Sequence, residues 1–298
     1  MSIIKNKNKS FNCTLDLQYD DYNDNITSLS DIEPFLNKEY KWSDFDDLIK
    51  IGEGGLSIIY KAKYKIDDKY YALKVISFDK IFALSKDNLK LYPNLNDESI
   101  IRCYGCFINE EYNLVYVLEY ILGQDLFDYL NLFENVLELN DKKKIMYSMV
   151  KSIKYCHDNN IIHLDVKLEN FMINIGNNIL KLGDFDFILD YKSNQSIYHR
   201  SRGTLDYMAP EVLVLDHIYD KSSDIWSLGV CFYIFLVKNM PFNSEDPKIL
   251  INKILNKEPN YNRIKNILGR DLVSKMLNKN PKERINIDDV YNHDFFKN

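Results

Sequence analysis

This sequence predicts an α+β fold in two parts, a sheet-rich N-terminal lobe followed by a mainly helical C-terminal lobe. Three patterns carry that expectation. Ile58, Tyr60, Ala62 and Tyr64 alternate with Lys61, Lys63 and Lys65, the period-two signature of a half-buried strand. Met146, Met149, Val150 and Ile153 recur at the spacing of one helix face. From Trp226 through Phe232 to Leu236 the chain is almost wholly apolar, as in a buried helix. Strands first and helices afterwards suggest α+β rather than alternating βαβ units.

Residues 1–40 are rich in Asn, Asp, Lys and Ser and show little periodicity, which predicts a polar extension that is flexible or packs only locally. The folded unit is expected to begin near Trp42. "YYALKVI" and "NLVYVLEY" read as further strands of the first lobe. In the second lobe Asp224 is a candidate cap for the apolar helix that runs towards Pro241.

The 298 residues, 46% of them hydrophobic, can supply an extensive core. Net charge is −6, which disfavours nucleic acid and anionic membrane as partners. "VCFYIFLV" at 230–237 is too short to span a bilayer, and "MSIIKNKNKS" has no signal-peptide core. Five scattered cysteines do not make a disulfide framework and fit a cytoplasmic or nuclear compartment. Cys103 and Cys106 form a CxxC, but no second pair or histidine follows at ligand spacing, so core packing is the better reading.

Four stretches bear chemistry. "IGEGGLSIIY" contains Gly52, Gly54 and Gly55, and glycines let backbone amides approach phosphate oxygens. Taken alone, it fits an ordinary glycine-rich hairpin equally well. Lys74 lies among apolar strand residues, where burial would demand an anion, although a solvated strand face would also accept it. "HLDVKLEN" at 163–170 and "KLGDFDF" at 181–187 supply Asp165, Lys167, Asn170 and Asp184. These provide a carboxylate to orient a hydroxyl, a cation for a moving phosphate, and oxygen ligands for Mg²⁺.

With these motifs, and with "GTLDYMAPE" (203–211), "SDIWSLG" (223–229) and "NPKERI" (280–285), the chain resembles a eukaryotic protein kinase domain of the serine/threonine type from about Phe45 to Phe296. The resemblance implies an antiparallel N-lobe sheet with one helix over 41–118, a hinge at 119–123, a helical C-lobe over 124–298 and a nucleotide cleft between the lobes. It implies Asp165 as catalytic base and Lys167 as its phosphate-steadying partner. Asn170 and Asp184 would hold Mg²⁺, with Mn²⁺ as an alternative, and Lys74 would bind the α- and β-phosphates of ATP. Gly52, Glu53, Gly54, Gly55, Ser57, Ile59 and Ala72 would line the nucleotide. Leu118 would stand at the gatekeeper position, Glu119 and Ile121 at the adenine hinge, and Asp125 at the ribose. His163 and the Glu211–Arg284 pair are expected to support the architecture, Asp224 to hold the catalytic-loop backbone by hydrogen bonds, and Thr204 to touch the Asp165–Lys167 pair.

Asp125 and Glu169 further imply protein substrates with basic residues upstream of the acceptor. The oligomeric state is left open.

Four positions depart from the family pattern. Ser57 replaces the third loop glycine. Leu164 replaces the arginine that receives a phosphorylated activation loop, which implies activity independent of that switch, although Ser193, Ser196, Tyr198 and Ser201 remain candidate phosphorylation sites. Asp186 replaces the glycine that ends the magnesium motif, and is expected to restrict that loop. No glutamate stands where a helix should provide the carboxylate partner of Lys74. Counting back from "SIIRCYG" reaches Asn88, with Asp87 beside it as the candidate and Pro93 close behind. The alternative to an active enzyme is a pseudokinase that serves as a nucleotide-binding scaffold, but Lys74, Asp165, Asn170 and Asp184 are all intact.

Overall fold

Alternation in the first lobe produces five consecutive antiparallel strands. These are β1 (Phe45–Glu53), β2 (Ser57–Tyr64), β3 (Tyr70–Ile76), β4 (Cys103–Ile108) and β5 (Leu114–Glu119), in the sheet order β1-β2-β3-β5-β4. The computed structural model describes residues 26–37, 39–84, 86–133, 136–192, 203–214 and 219–297. Ser193, Ser196, Tyr198 and Ser201 lie outside the described residues.

Both faces of the sheet are used, as period two requires. Leu73, Val115, Val117 and Phe107 join Phe45 and Ala62 in one cluster, covered by Trp42, Tyr60, Tyr64 and Tyr71. Ala72, Ile76, Tyr116 and Leu118 face the other way, into the large core cluster that continues through the second lobe. The connection from β3 to β4 carries two short helices among its described residues, α1 (Phe78–Ile81) and α2 (Lys86–Leu91), where one was expected. α2 is only six residues long, and Pro93 follows it inside the 3₁₀ turn Tyr92–Asn94. Proline lacks the amide that would extend a helix.

The second lobe opens with β6 (Gly123–Asp125) and α3 (Leu126–Phe133). It continues with α4 (Leu139–Asp158), β7 (Ile161–Ile162), β8 (Phe171–Asn174), β9 (Leu180–Leu182) and β10 (Leu189–Asp190). Then come α5 (Lys221–Val237), α6 (Pro247–Asn256), α7 (Ile267–Met276) and α8 (Ile287–Tyr291). Met146, Met149, Val150 and Ile153 are all fully buried on α4, as their spacing predicts. α5 is buried on almost every side, and α4 and α7 pack against it. Its cap is Asp220, whose carboxylate accepts from the Ser222 amide at 2.9 Å, rather than Asp224, which lies one turn inside. Asp224 is therefore released for another task.

Part of the expected polar extension belongs to the core. Ile26 and Ile32 are 2% and 0% exposed and join the large cluster. Between them, Asp31 pairs with Lys86 at the start of α2, at 3.0 Å. Further on, the Asn37 amide donates to the Cys106 carbonyl at 2.7 Å, which covers part of the edge strand β4. The close approach needs a glycine: Gly105 has φ +148°, and a Cβ there would lie 2.9 Å from the Asn37 side chain. Two isoleucines at this spacing give no periodic signal, and their partners lie on distant segments. Cys103 and Cys106 are buried, and desolvation pushes the Cys106 thiol up to about 12, which fits packing rather than reactivity.

Ile32→Ala should therefore cost about 2–5 kcal/mol of stability in urea unfolding, as for a core residue. A loss under about 0.5 kcal/mol would place the segment outside the cooperative unit.

Candidate active site

Register across the sheet builds the upper wall of the site. Gly52 pairs with Ile59, Ile59 with Lys74 and Lys74 with Tyr116, while Ala72 pairs with Leu118. Residues directly opposite share a face, so these side chains form one surface. Gly54 and Gly55 stand in the turn between β1 and β2, where the Gly54 amide donates to the Ser57 carbonyl at 2.8 Å. A Cβ at Gly54 would meet nothing within 4 Å, so the hairpin tip is open. The Glu53 carboxylate pairs with Lys50 and Ser57 is buried. Glu119 ends β5 with its carboxylate on Lys181 at 2.9 Å, and Ile121 is buried just before β6. Asp125 accepts from the Asp128 amide at 2.8 Å, so one of its oxygens serves the first turn of α3.

Below the sheet, one buried carboxylate organises the loop between β7 and β8. Asp224 Oδ2 accepts from the His163 amide and Oδ1 from the Leu164 amide, both at 2.9 Å, and His157 Nε2 lies 3.0 Å from Oδ2. Burial pushes the Asp224 carboxyl up, but its hydrogen bonds and the nearby histidines outweigh that and hold it below its ordinary value. His163 donates from Nε2 to the Gly183 carbonyl at 3.1 Å and accepts the Asp165 amide on Nδ1 at 3.3 Å, a supporting arrangement. Leu164 is buried at φ +66°, so an apolar residue fills the place of the expected arginine.

Asp165 gathers three neighbours. Lys167 Nζ donates to its Oδ2 at 2.6 Å, Thr204 Oγ1 to its Oδ1 at 2.9 Å, and Asn170 Nδ2 to its backbone carbonyl at 2.7 Å. Lys167 also donates to Thr204 Oγ1 at 3.0 Å, which closes a ring. Gly203 brings Thr204 there: its φ is +101°, and a Cβ would lie 2.4 Å from the Leu164 carbonyl oxygen. Burial would lower the pKa of the Lys167 ammonium, but Asp165 and Asp184 more than offset this and raise it, so its positive charge is secure.

Lys74 closes the site from above. Its Nζ donates to Asp184 Oδ1 at 2.5 Å and to Asp186 Oδ1 at 2.6 Å. Asp87 is not its partner; that carboxylate accepts from the Asp190 amide at 3.0 Å. The α2 carboxylate faces the Asp190 amide, and the loop after β9 delivers Asp186 to Lys74 instead. Burial alone would lower the pKa of Lys74, yet the two carboxylates raise it. Burial likewise raises the pKa of Asp184, but Lys74 and Lys167 override it and hold that carboxyl well below its ordinary range. In Asp186 burial dominates, and its carboxyl rises to about 6. Sequence reasoning missed Asp186 and Asn88 as site residues. Two departures, a missing helix glutamate and an added loop aspartate, were the available signal.

The donor set suits a hard divalent cation. Asp184 stays ionised and is a third exposed, while the NH₂ of Asn170 is spent on Asp165, which leaves its side-chain Oδ1 as the atom that would meet a cation. The Gly183 amide donates to the Asn170 carbonyl at 2.8 Å, which ties the two ligand segments together. Two carboxylates share one ammonium beside this pair, and the excess negative charge favours a cation. Far from it, Arg284 grips Glu211 through both oxygens, at 2.6 and 2.8 Å, as the sequence implies.

The sequence model of the protein kinase domain matches residues 45–296. CBL-interacting protein kinase 1 of Oryza sativa subsp. japonica is 30% identical over 83% of this chain and 54% of its own length. Aurora kinase of Dictyostelium discoideum is 29% identical over 86% of this chain and 67% of its own. The serine/threonine-protein kinase PLK4 of Nematostella vectensis is 28% identical over 86% of this chain and 26% of its own. This chain thus spans between about a quarter and two thirds of these relatives.

Asp224→Asn should lower stability at neutral pH by about 3 kcal/mol, because two loop amides lose a charged acceptor. A carboxyl held below its ordinary 3.8 in the folded state contributes fully above about pH 4 and loses that contribution as pH falls through the lowered value. Urea titrations at pH 7 and pH 3 should show the gap between wild type and variant shrinking at the lower pH; a constant gap would contradict this account.

Proposed function

The chain belongs to the protein kinase domain family, and on that footing we propose that it transfers the γ-phosphate of ATP, with Mg²⁺ or Mn²⁺, to serine or threonine hydroxyls of protein substrates. The observation that carries the reading is the convergence of Asp165, Lys167, Asn170 and Thr204 in one hydrogen-bonded group, tied through Gly183 to the Lys74–Asp184 pair.

Asp165 orients the incoming hydroxyl and takes its proton as the new O–P bond forms and the bond to the ADP oxygen breaks. Lys167 and Lys74 place positive charge against the phosphates, where charge is redistributed during transfer. Asn170 and Asp184 are the residues that would hold the metal, which neutralises phosphate charge when bound. The hairpin from Gly52 to Ser57 covers the phosphates, while Ile59, Ala72, Leu118 and Ile121 offer an apolar slot for the base next to the Glu119 backbone. Asp125 would meet the ribose, with one carboxylate oxygen still serving α3. A scaffold without catalysis has less support, since each of these groups is intact and directed inward.

Substrate preference follows from Glu169 and Asp125. Burial raises the Glu169 carboxyl pKa, and Asp125 adds to that shift, so a cationic side chain between them would recover the energy of ionising Glu169. Upstream Arg or Lys in the substrate is the group that fits. The composition supports a cytoplasmic or nuclear location, and no described helix is long and apolar enough to cross a membrane.

Asp165→Asn should cut kcat by about 10²–10⁴-fold in Mg²⁺-dependent transfer of labelled phosphate to a generic protein substrate, with little change in KM for ATP. Equal signal from variant and wild type would remove the activity from this site. Profiling on a peptide library should return serine and threonine acceptors with Arg or Lys enriched upstream, and Glu169→Gln should weaken that enrichment. A flat upstream profile would defeat the assigned preference.

A further inference from the structure

The two carboxylates on Lys74 are not equivalent. Asp184 has a side chain 36% exposed, open to the cleft, whereas Asp186 is 8% exposed and Lys74 6%. A carboxylate that also ligates a metal shares its charge with that metal, which weakens its hold on a buried ammonium. We propose that Asp186 is the positioning residue for Lys74: it holds the ammonium against the nucleotide phosphates while Asp184 serves the metal, the task for which α2 supplies no carboxylate. The assignment rests on the kinase reading above and names the residue on which its phosphate grip depends.

Three further observations carry it. On α2, the two residues nearest the expected position are engaged elsewhere. Asn88 is fully buried; its NH₂ donates to the Phe185 carbonyl at 2.5 Å, its Oδ1 accepts from the Tyr116 hydroxyl, and Asp87 reaches the Asp190 amide. Next, the loop is shaped to deliver both acids. Asp184 has φ +58°, and its neighbour Phe185 is buried between Tyr92, stacked at 4.6 Å, and His163 at 4.9 Å. The backbone that presents Asp186 to Lys74 is thus held by the Phe185 ring and by the Asn88 clamp on the Phe185 carbonyl. Lastly, Tyr116 is the cross-strand partner of Lys74, so the Asn88 amide lies on the same sheet face as the ammonium. A longer acid at 88 would project towards the same cation.

The consequence is a change in what controls the lysine. Its anchor belongs to the loop after β9, and α2 contributes the Asn88 clamp on that loop rather than a carboxylate of its own.

The test compares Asp186→Asn, which keeps the side-chain size, Asp186→Gly, and the double variant Asp186→Gly/Asn88→Glu. Affinity for a non-hydrolysable ATP analogue with Mg²⁺ and for adenosine is measured by calorimetry beside the unliganded melting temperature. Both single variants should bind the analogue about tenfold more weakly, the loss of one charge-assisted contact, with adenosine affinity and melting temperature nearly unchanged. The double variant should recover most of the analogue affinity. Unchanged analogue affinity in Asp186→Gly, or an equal loss for adenosine, would each overturn the assignment. Binding is read without turnover, so failure of the transfer activity and failure of this assignment are told apart.

Discussion

A lysine ammonium buried in a strand is the constraint from which the site follows. Lys74 can remain charged inside the protein only if carboxylates reach it, and they come from a loop more than a hundred residues further along the chain. That demand brings the sheet of the first lobe onto the loop after β9 in the second. The same contact fixes Phe185 under the sheet, against Tyr92 and His163, and so couples the lobes through packing as well as charge. Two negative groups on one positive group leave a deficit of positive charge beside Asn170, the feature on which the proposed cation site rests.

A second buried charge supports the other half of the site. Asp224 is 1% exposed and satisfies two amides of the loop that carries Asp165. Buried α5 therefore sets the position of a loop that has little regular structure of its own. The loop accepts a non-glycine residue at positive φ, Leu164, because these hydrogen bonds over-determine it. Gly203 then brings Thr204 close enough to complete the ring around Asp165 and Lys167. Asp165 and its loop are thus held by Asp224 and Thr204, side chains outside the proposed chemistry.

Membership of the protein kinase family accounts for the architecture, but the departures are what individualise this chain. Leu164 removes a charge receptor, and the missing helix carboxylate is matched by an added one at Asp186. Neither change is intelligible alone. Together with the buried Ile26 and Ile32 beside the Asp31–Lys86 pair, they describe a first lobe whose short α2 is held by packing and hydrogen bonds rather than by an ion pair to Lys74.

Lobe order, strand alternation, the α4 face and the linear set Lys74, Asp165, Lys167, Asn170 and Asp184 were legible in the sequence, because period and motif spacing are local properties of the chain. Local pattern also suggested Asp224 as a helix cap, a place the structure gives to Asp220, while the loop role that the motif implied for Asp224 is the one it fills. Tertiary structure alone decided that Asp186 rather than Asp87 meets Lys74, and that two isoleucines of a polar leader enter the core. Ion pairs and core contacts depend on distances between segments remote in sequence, and no spacing along one chain encodes those distances.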